Sequence, residues 1–214
     1  MNKFDEYRTI IGDNIASFEV KKSTFIGSIK ACKTEEQAIE FIEEIRKEHR
    51  QATHNCYAYI IGPDKLTQRY SDDGEPQGTA GIPMLEVLKK EDLTNICVVV
   101  TRYYGGVKLG ASGLIRAYSK GVSHVLESSD DVWMRNYRKI DLSLEYTLLG
   151  KIDNYLINEG IHEITRDYTD KVSISLYIAS REFEKFNKDI QELTSATAEV
   201  SVIEDLLLAE RERK

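Results

Sequence analysis

Two short stretches hold the residues whose types and spacing can do chemistry. The first, Arg69 to Pro83, reads RYSDDGEPQGTAGIP and gathers Asp72, Asp73 and Glu75 around Gly74 and Gly78. The second reads VVVTRYYGGVKLGASGLIRAYSK, in which Arg102, Lys108, Arg116 and Lys120 flank Gly105, Gly106, Gly110 and Gly113, with Tyr103 and Tyr104 beside them. Seven of the chain's thirteen glycines lie in these two loops. Glycine is needed where φ must be positive or where something approaches the backbone closely. Both loops lead into apparent helices, whose free N-terminal N–H groups favour anions.

The chemistry each stretch can do differs. Cations, tyrosine rings and free backbone N–H groups together describe a phosphate or nucleic-acid contact in the second. Its plainer reading is a tight strand-to-helix turn with solvated charges. Paired carboxylates in the first can hold a divalent metal or act as acid and base. Their plainer reading is helix capping and salt bridges to Arg69, Arg102 or Arg116. If the loops face each other, Arg69, Asp72, Asp73, Gly74, Glu75 and Gly78 line a cleft opposite the arginines. GGVKLGAS is not a Walker loop, because Ala111-Ser112 stands where Lys-Ser/Thr is required, and it is not GxGxxG. No GxSxG, HExxH or kinase signature occurs, so no catalytic residue is assigned and no metal or cofactor is expected. His54 and Cys56 sit two apart on a strand pattern and read as a buried structural pair.

The elements that must position these loops follow from hydrophobic period and punctuation. IASFEV and STFIGSIKAC read as strands joined by Lys21-Lys22. Thr34 caps a helix with Ala38, Phe41, Ile42 and Ile45 on one face. CYAYIIG and LTQRYS form a hairpin, and IPMLEVLKKEDL a helix. NICVVVTRYY is a strand buried on both faces, ending at Thr101, and LIRAYSKGVSHVLESS a helix. Beyond WMRNY the pattern becomes β-α-β-β-α-β. Ile140, Leu142, Leu144 and Tyr146 share one face, Gly160 stops a helix, and EDLLLAERERK trails as a short charged helix or disordered tail. We draw domains at 1–135 and 136–205, with a tail at 206–214.

The bulk numbers bound the function. The chain has 214 residues and a net charge of −7; residues 1–135 carry 18 Lys/Arg against 20 Asp/Glu, and residues 136–214 carry 11 against 16. A polyanion can therefore be held only by a local basic patch. Three scattered cysteines without a CxxC, and a charged N-terminus MNKFDEYRTI, are expected of a cytoplasmic chain without disulfides or leader. No run of 18 apolar residues occurs, so no spanning helix and no membrane partner are expected.

RYSDDGEPQGTAGIPML followed by VVVTRYYGGVKLGASGLIRAYSKG, with HNCYAYIIG upstream, resembles the signature of the Impact/YigZ family, strongly over residues 15–130. The resemblance implies an α+β chain: an N-terminal domain like domain 2 of ribosomal protein S5 and a ferredoxin-like C-terminal domain similar to the last domain of elongation factor G. It implies a bacterial-type member without the RWD domain of the eukaryotic proteins, and so not their kinase-regulatory role. It implies a partner in RNA or the ribosome and a part in translation, and it carries no catalytic residue over. The alternatives are a metal-dependent enzyme acting on a small phosphorylated or peptide substrate through Asp72, Asp73 and Glu75, and a protein-binding module using the acidic C-terminal domain.

Overall fold

A computed structural model describes residues 6–211. The first five residues, on which the reading of a leaderless N-terminus partly rests, and 212–214 of the tail lie outside them. The chain is mixed α/β with two sheets, and it divides into two compact units, Tyr7–Trp133 and Met134–Glu210.

The N-terminal unit holds β1 (Tyr7–Ile10), β2 (Asp13–Val20), β3 (Ser23–Ala31), α1 (Glu35–Glu48), β4 (His54–Ile61) and β5 (Thr67–Ser71). It continues through α2 (Gly81–Lys90), β6 (Ile96–Tyr103) and α3 (Ala111–Glu127). Its sheet runs β2-β3-β6-β4-β5, every neighbouring pair antiparallel. The β-branched run Ile96–Val100 is buried on both faces, which is why β6 is the middle strand. Val98 and Val100 pack with Ile29, Met84, Leu88, Val122 and Val125 on the α2/α3 side. Cys97 and Val99 pack with Phe41, Ile42 and Ile45 of α1 on the other. The Thr34 hydroxyl accepts from Gln37 N–H at 3.3 Å, as the capping pattern predicts.

All three cysteines are free and fully buried. Burial pushes the Cys32 thiol up to about 11, and it raises Cys56 and Cys97 too. The thiolate is the reactive form, so native protein at pH 8 is expected to take up iodoacetamide about a hundredfold more slowly than urea-unfolded protein. Mass spectrometry reads this directly. Rapid labelling of any one cysteine in the native state would contradict the burial.

The C-terminal unit uses β7 (Asp131–Leu144), α4 (Leu149–Glu159), β8 (Glu163–Tyr168), β9 (Val172–Ala179), α5 (Phe183–Thr194) and β10 (Glu199–Glu210). The order is β-α-β-β-α-β; β9 lies between β7 and β8, and β10 also pairs with β7, in a five-stranded sheet that β1 joins. Ile140, Leu142, Leu144, Val172, Ile174, Leu176 and Ile178 face Ile152, Leu156, Phe183, Phe186 and Ile190 of the helices. Gly160 ends α4 in the left-handed conformation at φ 66°. Two expectations change. Tyr146 does not continue the apolar face of β7; it begins a 3₁₀ turn and is 48% exposed. Residues 206–210 are not a tail, because they extend β10 to Glu210, where Tyr137 and Arg181 bond the Glu210 carboxylate. Residue 135 falls inside β7, next to the division of the two units at Trp133 and Met134. Among the described residues no helix is long and apolar enough to cross a membrane.

Candidate functional site

The site begins where β6 ends. The strand runs past Thr101 to Tyr103, so Arg102 belongs to the ladder, opposite both Phe25 and His54. Side chains opposite one another in a ladder share a face, and here that face is the α2/α3 side. Arg102 is therefore only 5% exposed, where the sequence predicts a phosphate contact. Its Nη1 donates to Glu75 Oε1 at 2.6 Å, and the Tyr118 hydroxyl donates to the same oxygen at 2.8 Å. His54 completes the group: Nδ1 donates to the Asp73 carbonyl at 2.7 Å, and Nε2 lies 3.9 Å from Glu75 Oε2. Burial holds the Tyr118 phenol far above its ordinary value, so it stays a donor. The two loops do meet through Glu75 and Arg102, as a buried ion pair.

The other carboxylates are also committed to the backbone. Asp72 Oδ1 accepts from Ala80 and Gly81 N–H at 3.0 and 2.9 Å, and Oδ2 accepts from Gly78 N–H at 2.8 Å. This carboxylate fills the N-terminus of α2, so that helix end is not open to an external anion. Asp73 Oδ2 accepts from Asn55 N–H at 2.6 Å, and Oδ1 lies 3.5 Å from Arg46. Gly74 allows this turn at φ 87°, with the His54 ring against it. Arg69 lies apart, its exposed side chain 3.8 Å from Glu35 of α1. Among the described residues no group of three His, Cys, Asp or Glu side chains is placed to hold a metal ion.

The second loop remains open. Gly110, at the N-cap of α3, has φ 74°, and no side chain caps the helix. Lys108 and Arg116 are exposed and make no ion pair among the described residues. Lys120 is exposed too, its ammonium 4.7 Å above the Phe18 ring. Gly113 lies in the first turn of α3, partly buried against Leu109. The tyrosines separate. Tyr103 points to the α1 side, its hydroxyl 3.0 Å from His49 Nδ1. Tyr104 lies past the strand, 46% exposed, with the Arg102 guanidinium 5.3 Å from its ring centroid.

Gly105 ties this loop to a third segment. A Cβ there would lie 1.8 Å from the Lys22 carbonyl oxygen, so only glycine admits the approach. Its N–H donates to Ser23 Oγ at 3.1 Å. The β2–β3 turn, with Lys21 and Lys22 both at positive φ, therefore abuts the loop and adds two exposed lysines to it. Sequence reasoning treats Lys21-Lys22 only as a connector. The paired lysines between two strand patterns are the available signal, but the 82-residue separation of Ser23 and Gly105 hides the contact.

Known proteins share both halves of this chain. A model of the Impact N-terminal domain matches residues 21–126, and a domain of unknown function, DUF1949, matches residues 142–197. The chain is 45% identical over 181 residues to IMPACT family member YvyE of Bacillus subtilis (strain 168), covering 85% of this chain and 83% of that protein. It is 34% identical over 196 residues to IMPACT family member YigZ of Escherichia coli (strain K12), covering 87% and 93%. Protein IMPACT-B of Xenopus tropicalis is 36% identical over 95 residues, which are 42% of this chain and 29% of that protein. A crystal structure of a hypothetical protein matches with a TM-score of 0.60 at 31% identity, covering 94% of this chain and 98% of that one.

Proposed function

This chain belongs to the Impact family, with the pairing of an Impact N-terminal domain and a DUF1949 domain, and from that premise we propose that it is a cytosolic RNA- or ribosome-binding protein that modulates translation. The observation that carries the reading is a cluster of cations without acidic partners. Lys21, Lys22, Lys108 and Arg116 are exposed and unpaired among the described residues, beside a helix N-terminus that no side chain caps, in a chain of net charge −7. Unpaired cations and free N–H groups are what a phosphate backbone contacts, and a local patch suffices where the net field is unfavourable. The pairing of β9 between β7 and β8, with β10 on β7, supports the ferredoxin-like assignment of the C-terminal unit. The N-terminal unit, a five-stranded antiparallel sheet between α1 and the α2/α3 pair, is assigned as ribosomal protein S5 domain 2-like. The metal-dependent alternative gains no support from the site, because Asp72, Asp73 and Glu75 each already accept backbone or side-chain donors.

The test is fluorescence anisotropy with labelled RNA across a salt series. Wild type is expected to lose affinity steeply as salt rises. A Lys108→Ala/Arg116→Ala variant that melts like wild type is expected to have a shallower slope, by about one for each phosphate left unneutralised. An unchanged slope in the folded variant would remove these cations from the interface. Arg102 is not a useful probe of binding, because its substitution reports first on folding.

A further inference from the structure

We infer that Tyr104 is a stacking platform for one unstacked base, so that the site takes single-stranded rather than duplex RNA. The inference rests on the RNA reading and specifies which RNA. Tyr104 is the aromatic residue of the loop that reaches solvent; Tyr103 is on the opposite side of the sheet and is engaged by His49. The ring is held from within. The Arg102 guanidinium lies over Tyr104 at 5.3 Å and over the fully buried Phe25 at 5.5 Å. Glu75 fixes Nη1, while the buried Nε has no hydrogen-bond partner. Tyr104 N–H donates to Thr53 Oγ1 at 3.1 Å, and the neighbouring Gly105 N–H to Ser23 Oγ. Backbone and ring are thus both placed before any ligand arrives, and an anchored ring costs little further ordering on binding.

The chemistry of the exposed ring face narrows the partner. A cation beneath an aromatic ring engages its π density from that side. The outer face is then a poorer partner for a second cation, such as a basic peptide, and a good one for the flat face of a nucleobase. Gly105, next to Tyr104 in the chain, holds the backbone of the Lys21-Lys22 turn against the loop, and Lys108 follows in that loop, so cations are at hand for the phosphates flanking a stacked base. An A-form duplex keeps its bases stacked internally and offers only phosphates and sugars. It can use the lysines but not the ring.

The experiment compares a single-stranded RNA 12-mer carrying one 2-aminopurine with the same strand fully paired. Wild type is expected to bind the single strand about tenfold more tightly than the duplex and to quench the 2-aminopurine. Tyr104→Ala is expected to bring the single strand down to duplex affinity with an unchanged salt slope, because every phosphate keeps its cation. Tyr104→Phe is expected to bind as wild type does. Circular dichroism melts establish that both variants fold. If Tyr104→Ala binds the single strand as tightly as wild type, stacking is overturned and the RNA reading stands. If wild type binds neither RNA at low salt, both fall.

Discussion

Replacing Glu75 with glutamine is expected to cost the N-terminal unit about 3–5 kcal/mol of stability, the range seen when one partner of a buried ion pair is removed. Removing the Glu75 carboxylate leaves the Arg102 guanidinium buried without its counter-charge. With side-chain exposures of 6% for Arg102 and 4% for Glu75, water cannot take over the carboxylate's part. Glutamine keeps the size and can still accept a hydrogen bond, so the loss isolates the charge. Urea unfolding followed by circular dichroism measures it. A Glu75→Gln/Arg102→Met double variant removes both charges and is expected to recover most of the loss, since an apolar replacement of a whole buried pair is often neutral. A single-variant loss below about 1 kcal/mol, the range of exposed pairs, would mean that solvent reaches Arg102 after all.

The adjacent glycines of the second loop are expected to separate in a way that backbone conformation alone does not forecast. Gly106 has the left-handed conformation, φ 82°, yet an added Cβ meets nothing within 4 Å. Gly106→Ala therefore carries only the left-handed penalty, about 1–2 kcal/mol. Gly105 needs no unusual φ, but its added Cβ overlaps the Lys22 carbonyl at 1.8 Å. Backbone cannot rotate aside as a side chain can, so Gly105→Ala must push the β2–β3 turn away from the loop. We expect about 2–3 kcal/mol, the upper part of the range for overpacking. The same displacement parts Lys22 from Tyr104, so RNA affinity falls with it, whereas Gly106→Ala leaves the two together. Melting and anisotropy on the two variants check the order; equal effects on both readouts would show that the turn and the loop do not touch.

Local signals made much of the fold legible. Thr34 with two following glutamates marked the start of α1, the unbroken Ile96–Val100 run marked a strand buried on both faces, and strict alternation through Val172–Ile178 marked β9. The site was legible as a set of residues, but their roles were not. Whether Arg102 faces solvent or the interior depends on the strand continuing two residues beyond Thr101, because side chains alternate along it. Nothing local to TRYY fixes that end; pairing with Thr24 and Phe25, some eighty residues earlier, does. Asp72 follows its plainer reading: it caps, accepting from the amides of Gly78, Ala80 and Gly81 just downstream. At the other end of the chain, the charges in EDLLLAERERK argued for a tail, whereas residues 206–210 continue β10, which pairs with β7. For Arg102 and for residues 206–210 a long-range interaction outweighed a local preference.

The sheet order of the N-terminal unit bears on how the chain first acquires its structure. The middle strand, β6, is the last of the five to leave the ribosome. Until residue 103 has emerged, β3 and β4 each lack the neighbour that will separate them, and their inner edges are open ladders lined with apolar side chains. Neither hairpin, β2–β3 or β4–β5, can close the core alone. The unit must wait for the segment that joins them, then settle pairings as distant as Thr24 with Tyr103, which is the slow, non-local kind of folding. The vulnerable interval of this protein is therefore the one in which roughly its first hundred residues exist without β6, when exposed edges invite pairing with other chains.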